Sequence, residues 1–226
     1  DWIEIEAPVY PWQNVRKMGE DIVATELVFP RNHKITPHCL GALITAGISS
    51  ICVWKMPNVL IMPTGSELVD LTAADAQSLP AGKVLESNSH MLGRLVEACG
   101  GTYQRHDIVA DETQAIRAAL EKADTPDIDL ILILGGSSAG SEDYSRAVIE
   151  EMGSVMVHGV TMMPGKPVIA GQRNGKPVFG MPGYPVSAII AFEQLVQPVI
   201  YQMLQQAETE ARRINAMPTR KMASKL

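Results

Sequence analysis

The order of apolar and polar residues predicts alternating strands and helices over most of the chain. Short apolar runs at residues 59–62 and 129–134 are typical of strands that are buried on both faces. Apolar residues spaced three and four positions apart predict helices over residues 89–99, 112–123 and 143–152. Such alternation predicts parallel strands joined by right-handed crossovers, with helices on both faces. The expected fold class is therefore α/β, a three-layer α/β/α domain with a mostly parallel central sheet.

The same pattern predicts further elements around and after this alternating region. A strand is expected over residues 102–109, and residues 186–204 have the length and periodicity of a closing helix. Residues 168–170 and 177–179 are short β-prone runs that flank Asn174-Gly175, a pair of residues that favours a two-residue hairpin turn.

Three segments are expected along the chain. Residues 1–56 form a small mixed lobe, with a β-prone run at residues 22–29 and a helix over residues 38–46. Met56-Pro57 is typical of a boundary, so residues 57–204 are expected to form the main α/β domain. Residues 205–226 are polar and basic and are expected to be a frayed or disordered tail.

Composition narrows the class of protein. The chain has 226 residues, of which 46% are hydrophobic and 19% charged, and its net charge of −6 argues against a nucleic-acid partner. No apolar run approaches the ~20 residues that cross a bilayer, and no charged-then-apolar leader opens the sequence. Cys39, Cys52 and Cys99 are widely spaced and odd in number, which favours buried, reduced thiols. These features predict a cytoplasmic protein without a membrane partner.

The most informative segment is a strand that runs into a loop of glycines and hydroxyls, residues 130–140. Glycine reaches backbone conformations that point successive N–H groups at one anion. The dipole of the predicted helix 143–152 would favour the same anion. An ordinary tight strand-to-helix turn remains the alternative, because short glycine motifs occur often by chance.

Three more loops with glycine or proline at strand ends favour the anion-binding interpretation. They are residues 63–68, residues 164–167 and residues 181–187. The two later loops place rigid prolines around one glycine, which defines the backbone shape at low entropic cost. In an open parallel sheet, ligands bind at the carboxyl ends of strands near a change in strand order. All four loops are therefore expected to converge on one cleft.

Together these motifs resemble those of the MoeA/gephyrin E-domain family, the molybdopterin molybdotransferases. The resemblance rests on Thr64-Gly65-Ser66-Glu67-Leu68, Gly135-Gly136-Ser137-Ser138-Ala139-Gly140 with Asp143, Pro164-Gly165-Lys166-Pro167 and Pro182-Gly183-Tyr184-Pro185-Val186-Ser187. An upstream segment, Val15-Arg16-Lys17-Met18-Gly19-Glu20-Asp21-Ile22, is similar to the family's Val-Arg-x-x-Gly-Glu-Asp. The chain departs from the family at Ser66, Tyr184 and Glu86, where the family usually has Asp, Asn and Asp.

The resemblance implies a function in molybdenum cofactor biosynthesis. It implies a MogA-like molybdopterin-binding fold that binds adenylylated molybdopterin, and Mg²⁺-dependent insertion of molybdate. The implied partners are molybdopterin, a second copy of the chain and a MogA-type adenylyltransferase. Two alternatives are a MogA-type molybdopterin adenylyltransferase and a non-catalytic molybdopterin-binding or scaffold protein. The chain lacks the domains that full-length members carry before and after the matched region, so a truncated or fragmentary member is expected.

Three carboxylates follow predicted strands and are the candidate catalytic residues: Glu67, Asp111 and Asp143. Glu67 and Asp143 are the candidate Mg²⁺ ligands, since Mg²⁺ prefers hard oxygen ligands. For Asp111 and Asp143 the alternative is helix capping, because both precede predicted helices. The candidate ligand-binding residues are Thr64, Gly65, Ser66, Gly135, Gly136, Ser137, Ser138, Gly140, Pro164, Gly165, Lys166, Pro182, Gly183, Pro185 and Ser187.

Overall fold

The computed structural model of the protein describes residues 2–71, 79–135 and 144–207, together with residues 215, 217 and 219. The chain divides into two compact units, residues 1–53 and residues 54–226.

The first unit contains one helix among its described residues, α1 (Pro37–Thr45). Cys39 and Leu43 lie one helical turn apart on its buried side. The β-prone run at residues 22–29 forms turns and bends instead of a strand, because the described part of this unit offers no neighbouring strand for pairing. The prediction of buried thiols is confirmed for Cys39 and Cys99 but is wrong for Cys52, which is exposed where this unit packs little.

The described residues of the second unit form eight strands in two sheets. The six-stranded sheet has the order β4-β1-β5-β8-β7-β6, in which β7 runs antiparallel to both of its neighbours and the other five strands run in one direction. A two-stranded parallel sheet, β2-β3, stands apart. The strands are β1 (Asn58–Pro63), β2 (Leu68–Val69), β3 (Val84–Leu85), β4 (Thr102–Arg105), β5 (Leu130–Leu134), β6 (Ser154–His158), β7 (Ile169–Arg173) and β8 (Lys176–Met181).

Helices cover both faces of the large sheet, which confirms the three-layer α/β/α class. They are α2 (Asn88–Ala98), α3 (Thr113–Ala123), α4 (Tyr144–Met152), α5 (Pro185–Ala191) and α6 (Gln197–Met203). Every residue of β5 is buried, and alternate side chains enter different cores. Leu130 and Leu132 pack with α2, α5 and α6, whereas Ile131 and Ile133 pack with α3 and α4. A strand buried on both faces needs a continuous apolar run, and this explains the run in the sequence.

Two predicted elements differ in detail from the observed ones. The strand predicted over residues 102–109 ends at Arg105, and beyond it only Val109 forms a bridge, to Thr64. The closing helix is continuous but includes a π-helical segment, Phe192–Val196, between α5 and α6. Pro198 explains this widening, since its ring has no N–H to donate and would crowd the carbonyl four residues earlier.

The order of the strands predicts where a ligand would bind. After β1 the chain forms β4 on one side, then crosses back to form β5 on the other side of β1. The neighbouring carboxyl ends of β1 and β5 therefore belong to strands whose connections leave in opposite directions. Open α/β sheets bind ligands at such a point.

Candidate functional site

A cleft of about 980 Å³ lies at this edge of the sheet, within the second unit. Each of the four loops singled out in the sequence contributes to its wall. The lining residues are Thr64, Glu67, Leu68, Val84, Leu85, Glu86, Ser87, Asn88, Asp111, Leu134, Gly135, Tyr144, Met163, Pro164, Gly165, Lys166, Pro167, Pro182, Gly183, Tyr184, Pro185 and Ser187.

Thr64 and Gly135 hold the ends of β1 and β5 together at the floor of the cleft. Thr64 is 3% exposed, and both its backbone N–H and its hydroxyl donate to the carbonyl of Leu134, at 2.8 and 3.1 Å. Gly135 has φ +97°, and a Cβ there would lie 2.6 Å from the backbone oxygen of Thr64. Glycine is therefore required by both the backbone conformation and the close approach of the two strands.

The N–H groups of the first glycines in two of the loops are already used within the protein. Gly135 donates to the carbonyl of Met181 at 3.1 Å, and Gly65 donates to Val109 at 3.1 Å. These two glycines thus shape the loops, while anion donors must come from elsewhere. Gly136, Ser137, Ser138, Gly140 and Asp143 lie outside the described residues.

The loop between β6 and β7 brings a cation to the cleft. Because β6 runs in the same direction as β8, this loop lies at the same edge as the ends of β1, β5 and β8. Pro164, Gly165 and Lys166 line the cleft, and the peptide bond before Pro164 is cis. The backbone carbonyl of Lys166 accepts from the N–H of Val160 at 3.0 Å, which ties the loop to the end of β6. The side chain of Lys166 is exposed, whereas its backbone is held by this hydrogen bond.

The loop after β8 leads directly into α5. Pro182, Gly183 and Pro185 line the cleft, and Ser187 lies in the first turn of α5. No side chain caps this helix. The first N–H groups of a helix have no intrahelical partner, so they can donate hydrogen bonds to an anion in the cleft.

Two of the three candidate carboxylates meet in the cleft. Glu67 is exposed, whereas Asp111 is partly buried and its Oδ1 has no hydrogen-bond partner among the described residues. The N-cap of α3 is Glu112 rather than Asp111, and it makes no side-chain capping bond. Asp111 is therefore not the N-cap of α3, and it lines the cleft with a buried oxygen that has no partner among the described residues.

Gly65 and Ser66, by contrast, do not line the cleft, although their neighbours do. Ser66 is exposed, and its carbonyl accepts from Lys83 Nζ at 2.6 Å.

The sequence interpretation missed a buried ionic network beside the cleft. Glu86 is 4% exposed, and its carboxylate accepts from the backbone N–H of Ser89 at 2.8 Å and from the hydroxyl of the same residue. Arg105 joins them: Nε donates to Ser89 Oγ at 2.7 Å, Nη2 donates to Glu86 at 3.2 Å, and Nη1 pairs with Asp70 at 2.7 Å. The network secures the start of α2 to β4. Its signal in the sequence was Glu86-x-x-Ser89, the spacing at which an acceptor before a helix reaches a backbone N–H of the first turn.

The donor set of the cleft fits a divalent cation only in part. Among the described residues, no group of three or more His, Cys, Asp or Glu side chains is arranged to hold a metal. Mg²⁺, however, is often held by one or two carboxylates together with substrate phosphates. Glu67 and the unpartnered oxygen of Asp111 meet that requirement in the described part of the cleft.

No helix in the described ranges is long and apolar enough to cross a membrane.

Comparison with known proteins identifies relatives of this chain. A family described as a probable molybdopterin binding domain matches residues 60–202. A putative molybdopterin biosynthesis protein of Methanocaldococcus jannaschii is 36% identical over 202 residues, which are 87% of this chain and 50% of that protein. A molybdopterin molybdenumtransferase of Haemophilus influenzae is 31% identical over 193 residues, 85% of this chain and 46% of that protein.

A solved structure agrees with these relatives. The crystal structure of a molybdopterin biosynthesis MoeA protein from Pyrococcus horikoshii matches with a TM-score of 0.75 and 33% identity, over 89% of this chain and 49% of that one. The chain thus spans about half the length of the relatives that it matches.

Proposed function

Because the chain belongs to the family of probable molybdopterin-binding domains, we propose that its cleft binds adenylylated molybdopterin and supports the insertion of molybdate. The observation that carries this proposal is the convergence of the four strand-end loops on one cleft at the change of strand order. Pyrophosphate and molybdate are both anions, so the cleft needs donors and a cation. Lys166, the start of α5 and the loop after Gly135 are the groups that would supply them.

Five polar side chains have a proposed part in the reaction. Lys166 attracts and orients the anions, and Ser187 adds a hydroxyl at the first turn of α5. Glu67 and Asp111, together with Asp143, would hold Mg²⁺. When bound there, Mg²⁺ would stabilise the charge that develops on the cleaved phosphoanhydride. No covalent nucleophile of the protein takes part, since water can attack the adenylyl phosphorus and release AMP.

Calorimetric titration of adenylylated molybdopterin into the full chain, with and without Mg²⁺, tests this proposal. Lys166→Ala should weaken binding about tenfold to hundredfold, because a charge-assisted contact to an anion contributes about 1.5–3 kcal/mol. Lys122→Ala is the matched control, since Lys122 is exposed on α3 and does not line the cleft. Unchanged affinity in Lys166→Ala would contradict the assigned role of the loop.

The products separate this function from its alternatives. Mg²⁺- and molybdate-dependent release of AMP supports the molybdotransferase. Formation of adenylylated molybdopterin from ATP would instead indicate a MogA-type adenylyltransferase. Binding without either reaction would indicate a scaffold. A MogA-type enzyme that supplies the adenylylated ligand, and a cytoplasmic location, belong to the same proposal.

A two-fold dimer formed through the first unit is also part of the proposal. The described residues of this unit expose many large apolar side chains, among them Trp2, Tyr10 and Trp12. On α1, Leu43 is buried, but Leu40 and Ile44 are 53% and 73% exposed, one turn apart. A symmetric interface would use this second stripe twice.

Sedimentation equilibrium at micromolar concentration tests the dimer directly. Ile44→Glu should dissociate it while leaving the first unit folded, because the exposed stripe tolerates a charge in the monomer. Leu43→Glu should unfold the unit itself, at a cost of several kcal/mol, because it buries an unpaired charge. A native chain that is strictly monomeric would refute the dimer.

A further inference from the structure

The side-chain amide of Asn88 is oriented by one hydrogen bond. Asn88 is the first residue of α2, and its Nδ2 donates to the carbonyl of Gly183 at 2.7 Å. A carbonyl oxygen can only accept, so the amide nitrogen must face Gly183 and the amide oxygen must face away from it. The direction in which Asn88 presents its acceptor is therefore determined by the loop after β8.

This acceptor has no partner in the part of the chain that the structure describes. Asn88 lines the cleft, and its Oδ1 is buried without a hydrogen bond from any described residue. Buried polar atoms in folded proteins nearly always have a partner, and an exception calls for an explanation such as a missing ligand. An oriented acceptor in a binding cleft fits an N–H donor on the ligand.

An aromatic ring lies next in the chain to the carbonyl that orients Asn88. Tyr184 follows Gly183, lines the cleft and is 80% exposed. Leu85 and Pro182 add apolar wall in the same cleft. An exposed ring and a hydrogen-bond acceptor that line the same cleft are suited to a flat ligand group that stacks on the ring and donates at its edge.

We propose that Asn88 and Tyr184 together recognise a planar nitrogen heterocycle that carries an exocyclic amine. The amine donates to Asn88 Oδ1, and the heterocycle stacks on Tyr184. This inference rests on the proposed function, whose ligand contains two such groups, a pterin and an adenine. It gives Tyr184, the position where the chain departs from the family, a role in ligand selection.

The affinities of two pairs of small compounds test this recognition. Pterin and lumazine differ where an amine is replaced by a carbonyl, and AMP and IMP differ in the same way. A carbonyl placed against Asn88 Oδ1 would set two acceptors against each other. In calorimetric titrations of the full chain, we expect the amine of one pair to bind about tenfold more tightly than its carbonyl counterpart. The pair that shows this preference identifies the heterocycle.

Variants at Asn88 test whether this residue is the source of the preference. Asn88→Leu should reduce the ratio to about one, whereas His90→Leu, an exposed position on the same helix, should leave it unchanged. An equal ratio in the native chain, a ratio that survives Asn88→Leu, or binding of none of the four compounds would overturn the inference. Loss of Mg²⁺ binding in Asn88→Leu, with the ratio intact, would show that the oxygen is a metal ligand instead.

Variants at Tyr184 test the stacking contact separately. Tyr184→Phe should keep the affinity for the preferred amine, and Tyr184→Asn should lower it about threefold to tenfold. Equal affinity in Tyr184→Asn would remove Tyr184 from the site. If adenylylated molybdopterin binds equally well to the native chain and to Asn88→Leu, the proposed function stands and this inference fails.

Discussion

Two groups of polar side chains in the second unit show opposite states of hydrogen bonding. Asp124, at the end of α3, accepts from Lys176 Nζ at 3.0 Å, from Arg173 Nε at 3.3 Å and from Asn174 Nδ2. The hydrogen bond from Lys176 is the main cause that holds the pKa of Asp124 below its ordinary value, with smaller contributions from Asn174 and Arg173. In the cleft, by contrast, the Oδ1 atoms of Asn88 and Asp111 have no partner in the described chain.

The difference shows where the protein is organised for stability and where for binding. The Asp124 cluster joins the end of α3 to the turn between β7 and β8, and its members satisfy one another. The cleft acceptors gain nothing from folding, because they lose water and receive no replacement. Proteins retain such groups mainly where a ligand completes them, at some cost in stability.

The largest loss of stability is expected when Arg105 is removed from the buried ionic network beside the cleft. Arg105→Leu removes the cation that is paired with Glu86 and Asp70, and Glu86 is almost fully buried. The free energy of unfolding should fall by about 3 kcal/mol, measured by urea denaturation. Arg94→Leu is the control, since the pair of Arg94 with Glu97 is exposed, and little change is expected. If both variants had an equally small effect, the ion pairs of Arg105 would contribute nothing to the free energy of unfolding.

A smaller loss is expected at Asp124. Asp124→Ala removes an acceptor shared by three donors and should cost about 2 kcal/mol in the free energy of unfolding. Ligand affinity should not change, because none of these residues lines the cleft. Asp127→Ala, an exposed neighbour, is the matched control. Loss of binding in Asp124→Ala would show that the cluster is coupled to the cleft.

Acid should remove part of the same contribution. The folded-state pKa of Asp124 is lowered, so its stabilising effect is complete above the unfolded pKa of about 3.9 and is lost as pH falls through the folded value. The advantage of the native chain over Asp124→Asn should therefore begin to fall below about pH 4 and should decrease further as pH is lowered. Urea denaturation of both proteins between pH 7 and pH 3 measures this. A difference that stays constant over that range contradicts the prediction.

The smallest effect on stability is expected at Asp111. Asp111→Asn should change the free energy of unfolding by less than about 1 kcal/mol, in either direction, because the folded chain gives its Oδ1 no partner. The same variant should abolish the increase in ligand affinity caused by Mg²⁺. A large loss of stability would instead reveal a structural role and would weaken the contrast with Asp124.

The order of residues was sufficient to predict the main elements of the fold. The apolar run of β5 requires a strand buried on both faces, and Asn174-Gly175, both with positive φ, forms the predicted hairpin turn. The strand-end loops were visible because glycine and proline restrict the backbone locally. The two-residue strands β2 and β3 were not predicted, since so short a segment has no periodicity.

Tertiary structure decided which side chains meet, because contacts between distant segments depend on strand order and register. Arg105 reaches Glu86 only because β4 lies beside the start of α2. The amide of Asn88 is oriented by Gly183, 95 residues later in the chain. The sequence placed Gly65 and Ser66 just before Glu67, but only the folded loop shows that Glu67 lines the cleft and that Gly65 and Ser66 do not. Hydrophobic periodicity is a local property and predicts elements, whereas a binding site is formed by contacts that only the folded chain brings together.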